Sequence, residues 1–307
     1  MNEFELIQTF FISQPCNRSD VILGIGDDAA IVSPPLNQQL VITTDTLVAG
    51  VHFPDNTLAN AIGHKSLAVN LSDLAAMGAT PAWVTLALTL PDKNENWLTQ
   101  FCDGFFSLAK KYNVQLIGGD LTKGALTISV TAHGFVPINQ ALTRNAAQTG
   151  DLIYVSNTLG DAALGLTLFK NQTASSEQLK KLNYPEPQIN LGLALRGIAT
   201  SAIDISDGLA ADVAHILKAS QKGAIIYVDK IPLSSFIRHS VSEEETLRLA
   251  LSGGDDYELC FTVPKNKKHL VPDHCTCIGA ITENTELNLQ YSHGAKYNLD
   301  NPGYTHF

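Results

Sequence analysis

Aspartates recur beside glycine or threonine along this 307-residue chain. They stand in five short strings: Gly26-Asp27-Asp28, Thr43-Thr44-Asp45, Gly119-Asp120, Asp204-Ile205-Ser206-Asp207-Gly208 and Gly253-Gly254-Asp255-Asp256. One such string is ordinary turn chemistry, but five, each expected to follow an apolar β-rich run at a strand end, are harder to explain in that way. Clustered carboxylates repel one another unless cations are present, and Mg²⁺ prefers oxygen ligands that it shares with substrate phosphates. The pattern therefore predicts a magnesium–nucleotide site.

A further aspartate, Asp73, lies inside a predicted helix. Asn70, Asp73 and Met77 are spaced at i, i+3 and i+7, so they share one helical face. A carboxylate on a face that is otherwise buried needs a partner. That partner could be a metal ion, or it could be a hydrogen bond within the helix.

Familiar catalytic motifs do not account for these residues. The string 24–29 formally matches the dinucleotide fingerprint GxGxxA, but two aspartates at its centre would repel a pyrophosphate, so we reject that interpretation. The sequence has no P-loop, no protein-kinase HRD or DFG set, no GxSxG elbow and no HExxH. The formal net charge of −10 also argues against nucleic acid or an anionic membrane as a partner.

Strands and helices alternate along the chain, which predicts an α/β or α+β class. The predicted strands are 39–46, 83–90, 114–117, 126–135, 152–155, 224–228 and 258–263. The predicted helices are 60–77, 97–112, 160–170, 190–199 and 209–219, with a short amphipathic helix within residues 1–11. A polar stretch at 143–151 suggests two domains, 1–142 and 143–307.

Composition favours a cytoplasmic location. No apolar run approaches the ~20 residues that span a bilayer, and the N-terminus lacks the positive charge of a signal peptide. The five cysteines show no CxxC and suit neither a zinc site nor a disulfide framework. A reducing compartment is the simple inference.

The order of the motifs resembles the thiamine-monophosphate kinase family. The resemblance rests on the five strings and on Val51-His52-Phe53, residues 68–79, Ala141-Leu142-Thr143-Arg144 and the C-terminal Gly303-Tyr304-Thr305-His306-Phe307. It covers essentially the whole chain. It implies the fold of aminoimidazole ribonucleotide synthetase, in which two α/β domains form the cleft and the N-terminal domains pair in a homodimer. It also implies that ATP and thiamine monophosphate react to give ADP and thiamine diphosphate.

The resemblance assigns roles by motif position. Several Mg²⁺ ions would be bound by Asp28, Thr43, Thr44, Asp45, Asp73, Asp120, Asp204 and Asp207. The co-substrate ATP would contact Gly119, Asp120, Arg144 and Ser206, and thiamine monophosphate would contact His52, Asp255 and Tyr304. The acceptor phosphate is mostly a dianion near neutral pH, so we expect no general base and a direct, Mg-assisted in-line transfer.

Three features depart from the family pattern. Asp255 stands where glutamate is usual, Cys102 stands where a tyrosine is common near the nucleotide, and residues 184–188 lack the usual flanking arginines. Two alternatives stay open. One is another ATP-using member of the same superfamily, such as aminoimidazole ribonucleotide synthetase, and the other is a non-catalytic sensor of nucleotide or thiamine phosphate.

Overall fold

The computed structural model describes residues 2–305, so Met1 and the motif residues His306 and Phe307 lie outside it. The chain divides into two compact units. Unit one is Met1–Leu74 with Ala79–Asn139, and unit two is Ala75–Gly78 with Gln140–Phe307. Mixed helices and sheets in both units confirm the predicted α/β class.

Unit one is built around a four-stranded sheet. The unit has six strands among its described residues, four of them in this sheet. They are β1 (Val21–Leu23), β2 (Ile31–Val32), β3 (Gln38–Val48), β4 (Thr80–Leu90), β5 (Gln115–Lys123) and β6 (Thr127–Pro137). The sheet order is β3-β6-β4-β5, in which β4 and β5 are parallel and the other pairs antiparallel. Strands β1 and β2 form a separate antiparallel pair. The helices are α1 (Glu3–Ile7), continued by a π-helical turn over Gln8–Ile12, α2 (Ala59–Ala76) and α3 (Glu95–Lys111).

Helix α2 lies in the interior, as expected for a helix that is apolar on most sides. Even Ser66, Asn70 and Ser72 are buried. It packs against α3 in direct backbone contact, because a Cβ at Gly63 would lie 2.0 Å from the Phe101 carbonyl oxygen and one at Gly104 only 1.9 Å from that of Asn60. This packing fixes the helix that carries Asp73.

Unit two contains a six-stranded sheet in the order β12-β9-β11-β7-β10-β8. Its strands are β7 (Leu152–Ser156), β8 (Ser201–Asp204), β9 (Gly223–Tyr227), β10 (Leu259–Val263), β11 (Cys275–Thr282) and β12 (Leu287–Gln290). All neighbours are antiparallel except β9 and β12. The helices are α4 (Asp161–Lys170), α5 (Lys180–Asn183), α6 (Ile189–Ala194), α7 (Leu209–Ser220), α8 (Ser235–Ser240) and α9 (Glu243–Ser252).

Residues 75–78, at the C-terminal end of α2, belong to unit two. A Cβ at Gly192 would lie 2.1 Å from the Ala75 carbonyl oxygen, so α6 approaches this segment closely. The Arg196 guanidinium donates a hydrogen bond to the Gly78 carbonyl at 2.5 Å. Arginine at this point satisfies a carbonyl that follows the helix.

Most predicted elements are confirmed to within a few residues, but two are wrong at their ends. Strand β5 does not stop at residue 117. Its parallel pairing with β4 continues through Gly119 and Asp120 to Lys123. The helix predicted at 190–199 ends at Ala194, and Gly197 follows with a positive φ of 70°. Within residues 2–305, none of the helices combines the length and apolar character needed to cross a membrane.

The α2–α3 contact predicts that Gly104→Ala destabilises the protein by about 1–3 kcal/mol, because the added methyl forces two helix backbones apart. Unfolding in denaturant measures the change. Gly24→Ala is the control, since a Cβ there has its nearest neighbour at an ordinary 3.7 Å. Equal stability of the two variants would contradict the close packing.

Candidate functional site

In unit one, one side of β3 meets the polar residues of α2. The Thr43 hydroxyl donates a hydrogen bond to the Asp73 carboxylate. The Asp45 backbone N–H donates to the Asn70 side-chain oxygen at 3.2 Å. The Asn70 amide in turn donates to the Ser66 carbonyl at 3.1 Å. Asn70 and Asp73 therefore both reach β3, as their shared helical face predicts.

Two carboxylates face each other at this contact. Burial, with a further contribution from the charge of Asp73, raises the pKa of Asp45 to about 7. A cation between such groups would favour their ionised forms. The donors at hand, two carboxylates and the Thr43 hydroxyl, are all oxygen and suit a hard ion such as Mg²⁺.

Three other predicted residues of unit one make contacts outside this pair. Thr44 points to the opposite side of β3, because side chains alternate along a strand, and its hydroxyl is 2.9 Å from that of Thr131. Asp28 is exposed, and its backbone N–H donates to the Asp27 carboxylate at 2.8 Å. His52 follows β3, and its Nδ1 accepts the Val48 N–H at 3.0 Å. The Thr44 hydroxyl thus does not join the Asp45–Asp73 pair.

Asp120 is not at a strand end but inside β5. It pairs with Ala87, which lies opposite Ser129, and Ser129 lies opposite Thr46. Paired residues share a side of the sheet, so Asp120 is on the side of Thr44 and Thr46, away from Asp45. Strands β3 and β5 are the two edges, about 14 Å apart at normal strand spacing. Unit one alone does not bring Asp120 to the Asp45–Asp73 pair.

A mainly apolar pocket adjoins β5. Gly119 lies in its wall with a φ of 154°, and a Cβ there would be 1.9 Å from the Leu86 carbonyl oxygen. Only glycine permits that approach. The lining residues are Ile7, Phe11, Ile25, Leu86, Leu88, Leu116, Gly118, Gly119, Asp120 and Leu121. Such a pocket suits a flat apolar group.

In unit two, two segments converge on the loop that precedes α7. The Asp255 N–H donates to the Ser206 carbonyl at 2.8 Å, and the Tyr257 N–H donates to the Ile205 carbonyl at 2.8 Å. The Tyr304 N–H donates to the Asp207 carbonyl at 3.0 Å. Ser206, Asp207, Asp255 and Tyr304, predicted from separate motifs, are therefore neighbours.

The string 253–256 follows α9 rather than a β-rich run, so the strand-end interpretation is wrong there. It is also wrong for Asp45, which lies inside β3, although it holds for Asp204, the buried last residue of β8. Asp255 has a φ of 61°, and the Tyr257 hydroxyl donates to its carboxylate at 3.0 Å. Tyr257 is thus a partner of the shortened side chain that sequence reasoning missed.

Asp212 was also missed. Its carboxylate lies in the first turn of α7 and is buried, with 2% exposure. It accepts the backbone N–H groups of Ser206, Asp207 and Gly208 at 3.1, 3.1 and 3.2 Å. Burial and the nearby Asp207 raise the pKa of Asp212 to about 7, although the N–H bonds act in the opposite direction. Ligand atoms of Asp207, Asp212 and His215 lie within 4.8 Å of one another, as a metal ion would require. The signal was the i, i+3 spacing of Asp212 and His215.

Two further acids, half-buried Asp256 and buried Glu258, hold the 253–258 segment. Asp256 accepts the Gly160 N–H, which precedes α4, at 2.9 Å. Glu258 accepts the Ser156 hydroxyl at 2.6 Å and the Asn157 amide at 2.9 Å. Burial raises the pKa of both carboxyls. Their polar partners tie the segment to β7 and α4.

The predicted ATP contact Arg144 and the family departure Cys102 lie away from these contacts. Arg144 is exposed, and its carbonyl accepts the Ser220 hydroxyl at 2.8 Å, at the C-terminal end of α7. Ser206 and Asp207 precede the other end of that helix, about 18 Å away at 1.5 Å per residue. Cys102 is buried in α3, and burial raises the pKa of its thiol to about 12.

Two family matches cover most of the chain. Residues 26–136 match "AIR synthase related protein, N-terminal domain", and residues 148–291 match "AIR synthase related protein, C-terminal domain". Among curated proteins, thiamine-monophosphate kinase of Escherichia coli (strain K12) is 50% identical over 321 aligned residues, covering 99% of this chain and 98% of the relative. The kinase of the same name from Haemophilus influenzae is 50% identical, with 92% and 90% covered.

Solved structures agree with these matches. Thiamine-monophosphate kinase from Stenotrophomonas maltophilia K279a superposes with a TM-score of 0.86 at 45% identity, covering 92% of this chain and 93% of that one. AaThiL complexed with AMPPCP and TMP superposes with a TM-score of 0.80 at 31% identity, covering 92% of each chain.

The Asp45–Asp73 contact predicts a pH-dependent cost in stability. The pKa of Asp45 is about 7 in the folded protein and about 3.9 for an unfolded aspartate. The unfolded chain therefore releases this proton first, and the free energy of unfolding falls as the pH rises from about 4 to about 7. In metal-free protein, Asp45→Asn should raise the melting temperature at pH 8 by a few degrees, with the gain shrinking toward pH 4.

Thermal unfolding in EDTA across this pH range measures the gain. Asp92→Asn, at an exposed position in the same unit, is the control and should show no such trend. If Asp45→Asn melts at the same temperature as the wild type at pH 8, burial and Asp73 do not destabilise the ionised form of Asp45.

Proposed function

Since the chain belongs to the thiamine-monophosphate kinase family of AIR synthase related proteins, we propose that it transfers the γ-phosphoryl group of ATP to thiamine monophosphate, giving ADP and thiamine diphosphate. The observation that carries this proposal is identity of 50% to a kinase of that name over 99% of the chain. The relative complexed with AMPPCP and TMP supports the same pair of ligands, since AMPPCP is an analogue of ATP.

Several Mg²⁺ ions would be held by oxygen donors. The proposed ligands are Asp28, Thr43, Thr44, Asp45, Asp73, Asp120, Asp204 and Asp207. The facing carboxylates of Asp45 and Asp73 support a cation at that point. When bound, Mg²⁺ would offset the repulsion between the acceptor phosphate and the ATP phosphates.

The nucleotide would contact Gly119, Asp120, Arg144 and Ser206. The absence of a Cβ at Gly119 leaves the strand backbone open beside the pocket, and the apolar side chains of Ile7 and Phe11 would pack on the adenine ring. Arg144 is exposed and would use its planar fork on phosphate.

Thiamine monophosphate would contact His52, Asp255 and Tyr304. The Tyr257 hydroxyl orients the Asp255 carboxylate, which suits a role toward the positively charged part of the substrate. The acceptor phosphate is already ionised near pH 7, so the protein needs to align it rather than to remove a proton from it. We propose direct in-line transfer on that ground.

A homodimer formed through unit one is part of the proposal. Leu40 and Ile42 lie on the Thr44 side of β3 and are 43% and 57% exposed. Ile22 and Ile31 of the β1–β2 pair are 64% and 55% exposed. Apolar side chains that remain exposed together favour a protein–protein interface, and a second copy of the same sheet would cover them.

A product assay tests the activity. We expect purified protein with ATP, Mg²⁺ and thiamine monophosphate to form thiamine diphosphate and ADP in equal amounts, separated by chromatography. Omission of Mg²⁺ with EDTA is the control and should stop the reaction. Turnover of a purine precursor instead would favour aminoimidazole ribonucleotide synthetase, and ATP binding with no turnover would favour a sensor.

Asp45→Asn should lower kcat by about 100-fold or more, because a neutral amide is a poor substitute for a carboxylate ligand of Mg²⁺. The same change is expected to stabilise the metal-free fold, so loss of activity cannot be attributed to unfolding. Asp92→Asn is the matched control in the same unit and should retain kcat. Wild-type turnover of Asp45→Asn at saturating Mg²⁺ would refute the proposed metal role.

A further inference from the structure

The loop that precedes α7 is held by a single buried carboxylate. Asp212 has 2% exposure, and one of its oxygens, Oδ2, accepts three consecutive backbone N–H groups, from Ser206, Asp207 and Gly208. Hydrogen bonds to a charged acceptor are stronger than those between neutral groups. Three of them converging on one oxygen fix the direction of each peptide plane in the loop.

The opposite edge of the loop is fixed as well. Its carbonyl groups at Ile205, Ser206 and Asp207 accept the N–H groups of Tyr257, Asp255 and Tyr304. Each peptide between residues 205 and 208 is thus bonded at the carbonyl, at the N–H, or at both. Since the loop backbone is bonded within the protein, the loop would contact a ligand through the side chains of Ser206 and Asp207.

We propose that Asp212 is a positioning residue for the phosphoryl-transfer reaction: it organises the 206–208 backbone so that Ser206 and Asp207 are presented together to the magnesium–nucleotide. This inference rests on the proposed function, which assigns ATP and Mg²⁺ to those two side chains. Asp212 itself acts through the loop and needs no contact with substrate.

A helix cap alone does not explain these contacts. Helix α7 begins at Leu209 and its N-cap is Gly208, so the bond from the Gly208 N–H to Asp212 is a capping contact. The N–H groups of Ser206 and Asp207 lie before the cap and are not among the donors that the helix leaves unpaired. The Asp212 carboxylate therefore also accepts hydrogen bonds from the loop that carries Ser206 and Asp207.

The loop backbone also depends on glycine. Gly208 has a φ of 119°, and a Cβ there would lie 2.8 Å from the Cα of Ser252. A Cβ at Gly254 would lie 2.5 Å from the Ser206 carbonyl oxygen. The 206–208 and 252–255 segments are thus in backbone contact, and a shift of one would displace Asp255 in the other.

Asp151 provides a matched control in the same unit. It is 4% exposed, and its carboxylate accepts the Gln148 N–H at 2.9 Å and the Thr200 hydroxyl at 2.6 Å. It directly precedes β7, whose first residue pairs with Val263, at the other end of β10 from Leu259 and the loop. Asp151→Asn therefore weakens a buried carboxylate network without touching residues 206–208.

The test compares Asp212→Asn, Asp212→Ala and Asp151→Asn in the full chain. We expect amide hydrogen exchange at residues 206–208 to quicken in the order wild type, Asn, Ala, since an amide oxygen keeps part of the acceptor capacity. Calorimetry should show affinity for Mg·AMPPCP reduced about 10- to 100-fold in Asp212→Ala, with kcat reduced in the same order. Asp151→Asn should lower the melting temperature but leave all three measurements unchanged.

Unchanged exchange at residues 206–208 in Asp212→Ala would overturn the inference, and so would equal kinetic losses in Asp151→Asn. A direct metal-ligand role for Asp212 would instead make His215→Ala raise the half-saturating Mg²⁺ concentration as much as Asp212→Asn does. Amide exchange is measured without ligand, so it reports on the loop whether or not the wild type is active. A wild type that makes no thiamine diphosphate would therefore refute only the proposed function.

Discussion

Repulsion between partly buried carboxylates is the constraint on which the rest of this structure depends. Asp45 faces Asp73 in unit one, and Asp207 lies beside Asp212 in unit two. Burial opposes ionisation at both places, so each carboxylate needs an N–H group, a hydroxyl group or a cation to favour its charged form. The protein supplies the first two from backbone and threonine, and the cation is part of the proposed function.

Rigid elements meet this constraint by bringing donors to fixed points. In unit one, the glycine contacts between α2 and α3 hold the helix that carries Asn70 and Asp73 against β3. In unit two, Asp212 holds the 206–208 loop from one edge and the segments of Asp255 and Tyr304 hold it from the other. A site preorganised in this way avoids reordering at the moment of phosphoryl transfer.

The structure shows the surroundings of two departures from the family pattern, Asp255 and Cys102. Asp255 is one methylene shorter than the usual glutamate, yet the Tyr257 hydroxyl holds its carboxylate at 3.0 Å. Cys102 is buried within α3, so its thiol belongs to the packing of that helix. Asp255 also has a positive φ of 61°, and its N–H donates to the Ser206 carbonyl.

Sequence alone determined the fold class, most helices and strands, and the family, because hydrophobic periodicity and the order of the aspartate motifs are local properties of the chain. It also predicted that Asn70 and Asp73 share a face. Which aspartates meet was decided by tertiary structure. Strand register puts Thr44 and Asp120 on the other side of the sheet from Asp45, and the packing of distant segments brings Asp255 and Tyr304 to Ser206 and Asp207. Register and loop packing depend on contacts between residues far apart in the chain, and no local pattern records them.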